Sequence, residues 1–298
     1  MLLSHVGELA ALTTAICWTL TAIAFESAGK RVGSLSVNII RLVIAFILLT
    51  VFTFLTRGIG LPIDASSKTW FWLLTSGIIG FVIGDLFLFQ AYVEIGSRIS
   101  LLIMSVVPPI TAITGYLLMG EKIKPLGILG MLITIVGIAL VILSRSSSDK
   151  RVKLAHPAKG LLFAFIGALG QAFGLIFSKF GMGDYNPFAA TQIRIIAAII
   201  GFCIVITVGK RWGDIATAFK DKLAIRNISI GAFFGPFLGV SFSLLAVQHI
   251  PTGIVSTITS ISPILIIPAS IMIFKEKVLR KEILGAAISI TGVVLLFI

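Results

Sequence analysis

Charge is scarce in this chain. Of its 298 residues only 12% are Asp, Glu, Lys or Arg, while 57% are hydrophobic and the mean hydropathy is +1.11. A soluble domain carries about 25% charged residues, so there is too little polar surface here to wrap a water-soluble globule. The chain reads instead as an integral membrane protein whose apolar exterior meets lipid. Cysteine is nearly absent too. Cys17 and Cys203 both lie in apolar runs, which argues against a disulfide framework and for small core-filling residues. His5, His156 and His249 stand far apart with no ligand spacing, so no metal site is expected. No GxxxxGK[ST] phosphate loop occurs, nor HExxH, CxxC or GxSxG, which argues against direct ATP hydrolysis and the common hydrolytic centres. Nothing implies a cofactor or a catalytic residue.

What is present is a succession of apolar runs of about twenty residues, each long enough to cross about 30 Å of hydrocarbon as a helix. They fall at 6–26, 36–56, 70–92, 98–119, 126–144, 159–179, 188–208, 227–248, 252–274 and 281–298, giving an all-α polytopic protein of ten expected crossings. The first run has no Lys or Arg ahead of it and more membrane behind it, so it is expected to be a retained helix rather than a cleaved leader. A net charge of +12 does not make the chain a nucleic-acid binder. Its bases sit in short clusters between apolar runs, such as Lys150, Arg151 and Lys153, with no basic helix or stripe. They are better read as topology signals facing anionic lipid.

The chain repeats itself. EKIKPLGILGMLITIVGIAL (Glu121 to Leu140) and EKVLRKEILGAAISITGVVL (Glu276 to Leu295) align without a gap at an offset of 155, identical at nine of twenty positions. Gly84 and Gly239, Pro108 and Pro263, Gly130 and Gly285, and Gly137 and Gly292 keep that offset, while Arg41 and Arg194 stand 153 apart. Residues 1–144 and 159–298 are therefore expected to be two five-helix repeats, joined by a basic linker at 145–158. An odd number of crossings forces the second repeat to enter from the opposite side, an inverted arrangement typical of secondary transporters. Lys and Arg in or bordering loops 1–2, 3–4, 5–6, 7–8 and 9–10 number 17, against 5 in the remaining loops, which puts the first set in the cytoplasm and both termini outside.

Trp18 in the first helix, RLVIA opening the second, and FLFQAYVEIGSRISLLIMSVVPPITAITGYLLMGEKIKPLGILGMLITIVGIAL with its weaker partner from Gly239 onward carry a family pattern. Over nearly its whole length the chain resembles the EamA-like branch of the drug/metabolite transporter superfamily. The resemblance implies a ten-helix exporter or exchanger in the cell (inner) membrane, alternating access around a central cavity lined by helices three, four, eight and nine. It further implies a small-molecule substrate (an amino acid, another small anionic or zwitterionic compound, or a drug), with the lipid bilayer as surroundings, no nucleic-acid partner, and a monomer or homodimer. An intramembrane enzyme, or a non-transporting scaffold or channel, is the alternative. The enzyme would need polar groups converging at one depth, for which Arg41 and Asp85 are the candidates. A channel would want a charged or carbonyl ring.

Ionisable groups in a membrane cost about 2.5–3.5 kcal/mol at a helix centre. Arg41 and Asp85 are expected at depths of roughly 8 and 11 Å from the same face, at 1.5 Å per residue, so Arg41 can pair with Asp85, or with Glu26, or snorkel to the headgroups. A firmly paired Asp85 is structural; a loosely held one could couple transport to protons. In the second half Lys179 stands where Glu26 would be and Val240 where Asp85 would be. Arg194, with Lys179, then faces no nearby acid but Asp184 in a loop, and is a candidate to attract a substrate carboxylate or phosphate. The alternative is that both cations snorkel and fix topology. Pro108 and Pro109 in helix four, and Pro263 and Pro268 in helix nine, are expected to kink their helices. Ser105, Thr111, Ser260 and Ser262 nearby, with Trp18, Gln90, Tyr92, Tyr116 and Gln171, are candidates to line the cavity. Gly77, Gly80 and Gly84, and Gly231, Gly235 and Gly239, read as packing stripes. Glu121–Lys122 and Glu276–Lys277 read as solvated local pairs.

Overall fold

A computed structural model describes residues 5–119, 125–145, 152–154, 156–250, 252–275 and 278–296. In lipid every backbone polar group must be satisfied within the protein, which makes helices of the apolar runs. The helices are α1 (Val6–Val32), α2 (Ser34–Arg57), α3 (Ser67–Gly77), α4 (Leu86–Met104), α5 (Val107–Met119), α6 (Pro125–Ile142), α7 (Ala158–Met182), α8 (Pro187–Val208), α9 (Trp212–Ala218), α10 (Lys222–Ala232), α11 (Val240–His249), α12 (Thr252–Thr259), α13 (Ser262–Phe274) and α14 (Arg280–Leu296). Among the described residues, seven helical stretches are long and apolar enough to cross a membrane. Within the stretch expected to be a linker, Leu143–Arg145 and Val152–Leu154 form a small antiparallel pair. Glu121–Lys122 and Glu276–Lys277 lie outside the described residues.

Local chemistry sets the ends. Asn186 caps α8 by accepting from the Phe188 and Ala189 amides, with Pro187 in the first turn where its missing N–H costs nothing. Asp221 caps α10 in the same way, and Ser66 accepts from the Thr69 amide ahead of α3. Between helices three and four the break expected at 93–97 is present but holds no loop. The helix breaks at one residue, Gly96, whose φ of +80° is open to glycine at little cost, and resumes at once. The freed Ser97 amide donates to Glu26 Oε2 at 2.6 Å. Glu26, fully buried, also receives Lys30, and so serves this joint rather than Arg41.

α3 and α4 are not joined as ordinary α-helix. Ile78–Asp85 between them is π-helical, and so is Phe233–Gly239 between α10 and α11, in the matching place of the second half. Pro236, inside the second segment, removes a donor there. Side chains from other helices approach the last carbonyls of both: Asn38 Nδ2 donates to the Asp85 carbonyl and Thr14 Oγ1 to that of Gly239, each at 3.3 Å. Helix four has its own interruption at Ser105–Val106 before α5, and helix nine at Ser260–Ile261 before α13, again 155 residues apart. Pro108 and Pro263 sit in the first turn after each break, and Pro109 follows Pro108 in α5. Pro268 lies inside α13, which continues through it as one helix.

Packing places matching helices against each other. Thr134 Oγ1 in α6 donates to the Ser289 carbonyl in α14, and Ser289 Oγ donates to the Thr134 carbonyl, both at 3.3 Å. A Cβ on Gly137 would lie 2.4 Å from Ser289 Oγ, and one on Gly292 would lie 2.4 Å from the Thr134 amide. Thr134 and Ser289 are themselves 155 apart, so the contact is reciprocal. As residue numbers rise along α6 they fall along α14, and the two helices run antiparallel. α7 crosses helix three with the same sense: a Cβ on Gly170 would lie 2.4 Å from the Gly84 Cα and one on Gly174 2.8 Å from the Gly80 Cα. The largest core cluster gathers Phe25, Leu42, Leu49, Phe202, Ile206 and Ile228 from α1, α2, α8 and α10. Ile47, Val51 and Phe54 of α2, and Leu129, Leu132 and Val136 of α6, stay exposed, as lipid-facing positions require.

Candidate functional site

A cavity of about 130 Å³ opens at the centre of the bundle. Helices three, four, eight and nine line it, and so do α1, α2, α7 and α8, a wider set than the resemblance implied; among the described residues α6 and α14 contribute nothing. Both π-helical segments face it, through Phe81 and Asp85 on one side and Gly235 and Pro236 on the other. Both helix breaks face it as well, through Ser105, Val107 and Pro108, and through Ser260, Ser262 and Pro263.

Arg41 is held on every side. Its Nη2 donates to Asp85 Oδ2 at 2.5 Å and to Asn38 Oδ1 at 2.9 Å, and its Nε donates to the same Asn38 oxygen at 3.2 Å. Its guanidinium lies 4.4 Å from the Phe89 ring centre, with Phe25 and Phe81 at 5.5 and 5.7 Å. The other Asp85 oxygen accepts from Gln171 Nε2 at 2.7 Å. Both carboxylate oxygens are thus engaged, and the pair, 3% exposed on each side, is hydrogen-bonded through both Asp85 oxygens and through Arg41 Nε and Nη2, which offsets the cost of burying it.

Arg194 differs. It is equally buried, at 4% exposed, and stands over the Phe81 ring at 4.6 Å. No described residue gives it a hydrogen bond or a salt bridge, and its Nε is buried without an acceptor. Three more buried side-chain oxygens on the cavity wall are without partners: Thr21 Oγ1, Ser105 Oγ and Ser256 Oγ.

Of the sequence candidates, Arg194, Asp85, Tyr92, Ser105, Trp18, Gln171, Ser260 and Ser262 line the cavity. Ser260 and Ser262 spend their hydroxyls on backbone, donating to Ser256 O at 2.7 Å and to Thr259 O at 2.9 Å. Gln90 does not line it. It accepts from Ser34 Oγ at 2.7 Å and donates to Glu94 at 3.1 Å, one turn toward the helix end. Lys179 also lies off the cavity, half-buried in the last turn of α7, since the glycine-rich face of that helix is the one turned inward. Thr111 bonds the Val107 carbonyl, Tyr116 is exposed, and Asp184 lies in an exposed turn with no ion pair to Arg194. Sequence reading missed Thr21, Phe81 and Ser256. Ser256 lies four residues from Ser260, the one-turn spacing that could have flagged it.

Polar clusters close the two ends of the bundle. At one, Arg98 meets Glu282 at 2.8 Å, joining the restart of α4 to α14. At the other, Asp64 receives Arg57 and, at 2.9 Å, the Tyr185 hydroxyl, while Gln248 donates to the Gly183 and Tyr185 carbonyls. Partial desolvation pushes the Asp64 carboxyl up, but the Tyr185 hydroxyl, its own backbone amide and Arg57 together hold it below the usual carboxylate range. Desolvation and the bond to Asp64 push the Tyr185 phenol up.

The comparisons agree with this architecture. A solved crystal structure of a protein 14% identical in sequence superposes with a TM-score of 0.62 over 97% of both chains, and shares the fold. An uncharacterized transporter of Archaeoglobus fulgidus is 28% identical over 129 residues, 43% of this chain and 42% of that one, so the match spans less than half of the relative. The model of the EamA-like transporter family matches twice, over residues 5–143 and 158–298, once for each half that carries an arginine to the cavity. With both halves matched and its apolar helices gathered around a central hollow, the chain is an integral multi-pass membrane protein that belongs to the EamA-like transporter family.

Proposed function

We propose that this protein is a secondary transporter that exports or exchanges a small organic metabolite across the cell's inner membrane by alternating access. In this reading ten crossings form two inverted five-helix repeats, residues 1–144 and 159–298, with the more basic loops in the cytoplasm. The antiparallel register of α6 with α14, helices that match in sequence, supports the inversion.

One observation carries the proposal. The central cavity lies where two matching helix breaks and two matching π-helical segments meet, so both halves bring their weakest backbone to the same hollow. Interrupted helices at a cavity are the elements that bend as access alternates, because part of their backbone ladder is already open. Asp85 is structural here, with both oxygens bonded, and does not carry the coupling proton. Purified protein in liposomes, offered a panel of amino acids and small organic anions with and without a pH gradient, tests the reading. Flux of at least one compound is expected, and Asp85→Asn protein that still folds keeps whatever pH-gradient dependence is found. Absence of flux across the panel, or chemical turnover of any member, would count against transport.

A further inference from the structure

The charges on the cavity wall do not balance. Among the described lining residues the ionic groups are Arg41, Asp85 and Arg194. Asp85 hydrogen-bonds Arg41 and Gln171 and acts on Arg194 only through space, so the wall keeps one net positive charge and the Arg194 guanidinium has an aromatic face but no hydrogen-bond acceptor. Burying a guanidinium without an acceptor is costly, and a guanidinium presents its donors as a planar fork that matches a carboxylate. No free acid on this wall could receive an ammonium or any other cation. A doubly charged phosphate ester would overcompensate a single charge.

Size and lining narrow the ligand further. A cavity of 130 Å³ holds about ten water-sized positions at about 10–15 Å³ each. The wall is largely apolar, with Phe81 against Arg194 and Leu88, Met104, Leu175 and Val255 elsewhere on it, and the unpartnered hydroxyls of Thr21, Ser105 and Ser256 are buried in the same wall. From the wall's charge, size and chemistry we infer that Arg194 is an anion-binding residue and that its ligand is a small organic monocarboxylate of about ten non-hydrogen atoms with a largely apolar body. The inference rests on reading the cavity as the substrate site, and binding tests it separately from flux.

The probes are 3-phenylpropionate, its neutral amide and 3-phenylpropylammonium, similar in shape and different in charge. Binding to the full-length protein in detergent is followed by the fluorescence of Trp18 at the cavity wall, with Trp18→Phe protein as the blank. The carboxylate is expected to bind about tenfold to a hundredfold tighter than the other two, the range for a charge-assisted hydrogen bond. Arg194→Gln should remove that preference and leave amide binding within about twofold, while Arg194→Lys keeps part of it, as a charge without the fork would. Val240→Asp provides a second route. It leaves Arg194 in place and puts an acid at the position matching Asp85, so it should abolish the carboxylate preference even if Arg194→Gln folds poorly. Equal binding of the three probes by the natural protein, binding of none, or a carboxylate preference that survives both Arg194→Gln and Val240→Asp would overturn the inference. Selective binding with no flux of any compound across the liposome panel would leave the anion site standing and overturn transport instead.

Discussion

Arg41 and Arg194 hold the same place in the two halves, 153 residues apart, yet their surroundings diverged. Asn38 and Asp85 clamp the first, while the matching residues in the second half are Thr191 and Val240. Thr191 turns its hydroxyl to the Pro187 carbonyl and accepts from Ser241, so it offers Arg194 nothing. Two substitutions on one scaffold thus separate a load-carrying arginine from one left available. What a buried cation does is decided by its neighbours, and symmetry in the chain does not imply symmetry in role.

The comparison can be broken most severely at the clamp. Asp85→Leu strands the Arg41 charge and should cost about 3–5 kcal/mol. Arg194→Leu removes a buried charge that has no hydrogen-bonded partner and should not lower stability. Unfolding in detergent measures both, and equal losses would make the two arginines alike after all. The helix crossings sharpen the contrast at the next level. Gly174 meets Gly80 backbone to backbone, whereas Gly235, which matches Gly80, packs against Thr21. Gly174→Thr, copying the second half, should destabilise by about 1–3 kcal/mol through overpacking, again read from unfolding in detergent. The smallest effect belongs to the Arg57–Asp64–Tyr185 cluster at the bundle end. The Asp64 pKa is depressed on folding, so its contribution is present above the unfolded value of about 3.9 and fades as pH falls through the lower folded one. For a cluster this exposed it amounts to at most about 1 kcal/mol. Asp64→Asn should therefore lower stability slightly at pH 7 and leave it unchanged near pH 2.

Much of this was legible before any coordinates. Apolar runs mark the helices because lipid allows little else, and rise per residue brought Arg41 and Asp85 to one depth from one face. Pro108 and Pro263 stand beside the breaks of helices four and nine because a residue without an N–H cannot donate to the ladder. Rotation about each helix axis was not legible. The few polar residues of α4 and α7, Gln90 and Lys179 among them, are scattered around their helices, so no single polar stripe tells which face meets the cavity. That is why Gln90 and Lys179 were expected at the cavity while Phe81 and Thr21 went unnoticed. The π-helical segments escaped for another reason. Gly77, Gly80 and Gly84 read as a packing stripe, which they are, since α8 lies against Gly77 and α7 against Gly80 and Gly84. The same glycines leave room for a widened turn, a distinction that spacing does not encode.

In the Ile78–Asp85 segment each closed ring of the ladder holds one residue more than in ordinary helix. One residue corresponds to about 100° of turn about the axis, so the surplus sets the compass bearing of everything that follows it up to Gly96. Asp85 points at Arg41, and Phe89 and Tyr92 point inward, only because the chain carries that extra unit of length. Shortening the segment by a single residue would leave composition and hydropathy almost untouched, yet swing the carboxylate away from its partner and dismantle the clamp.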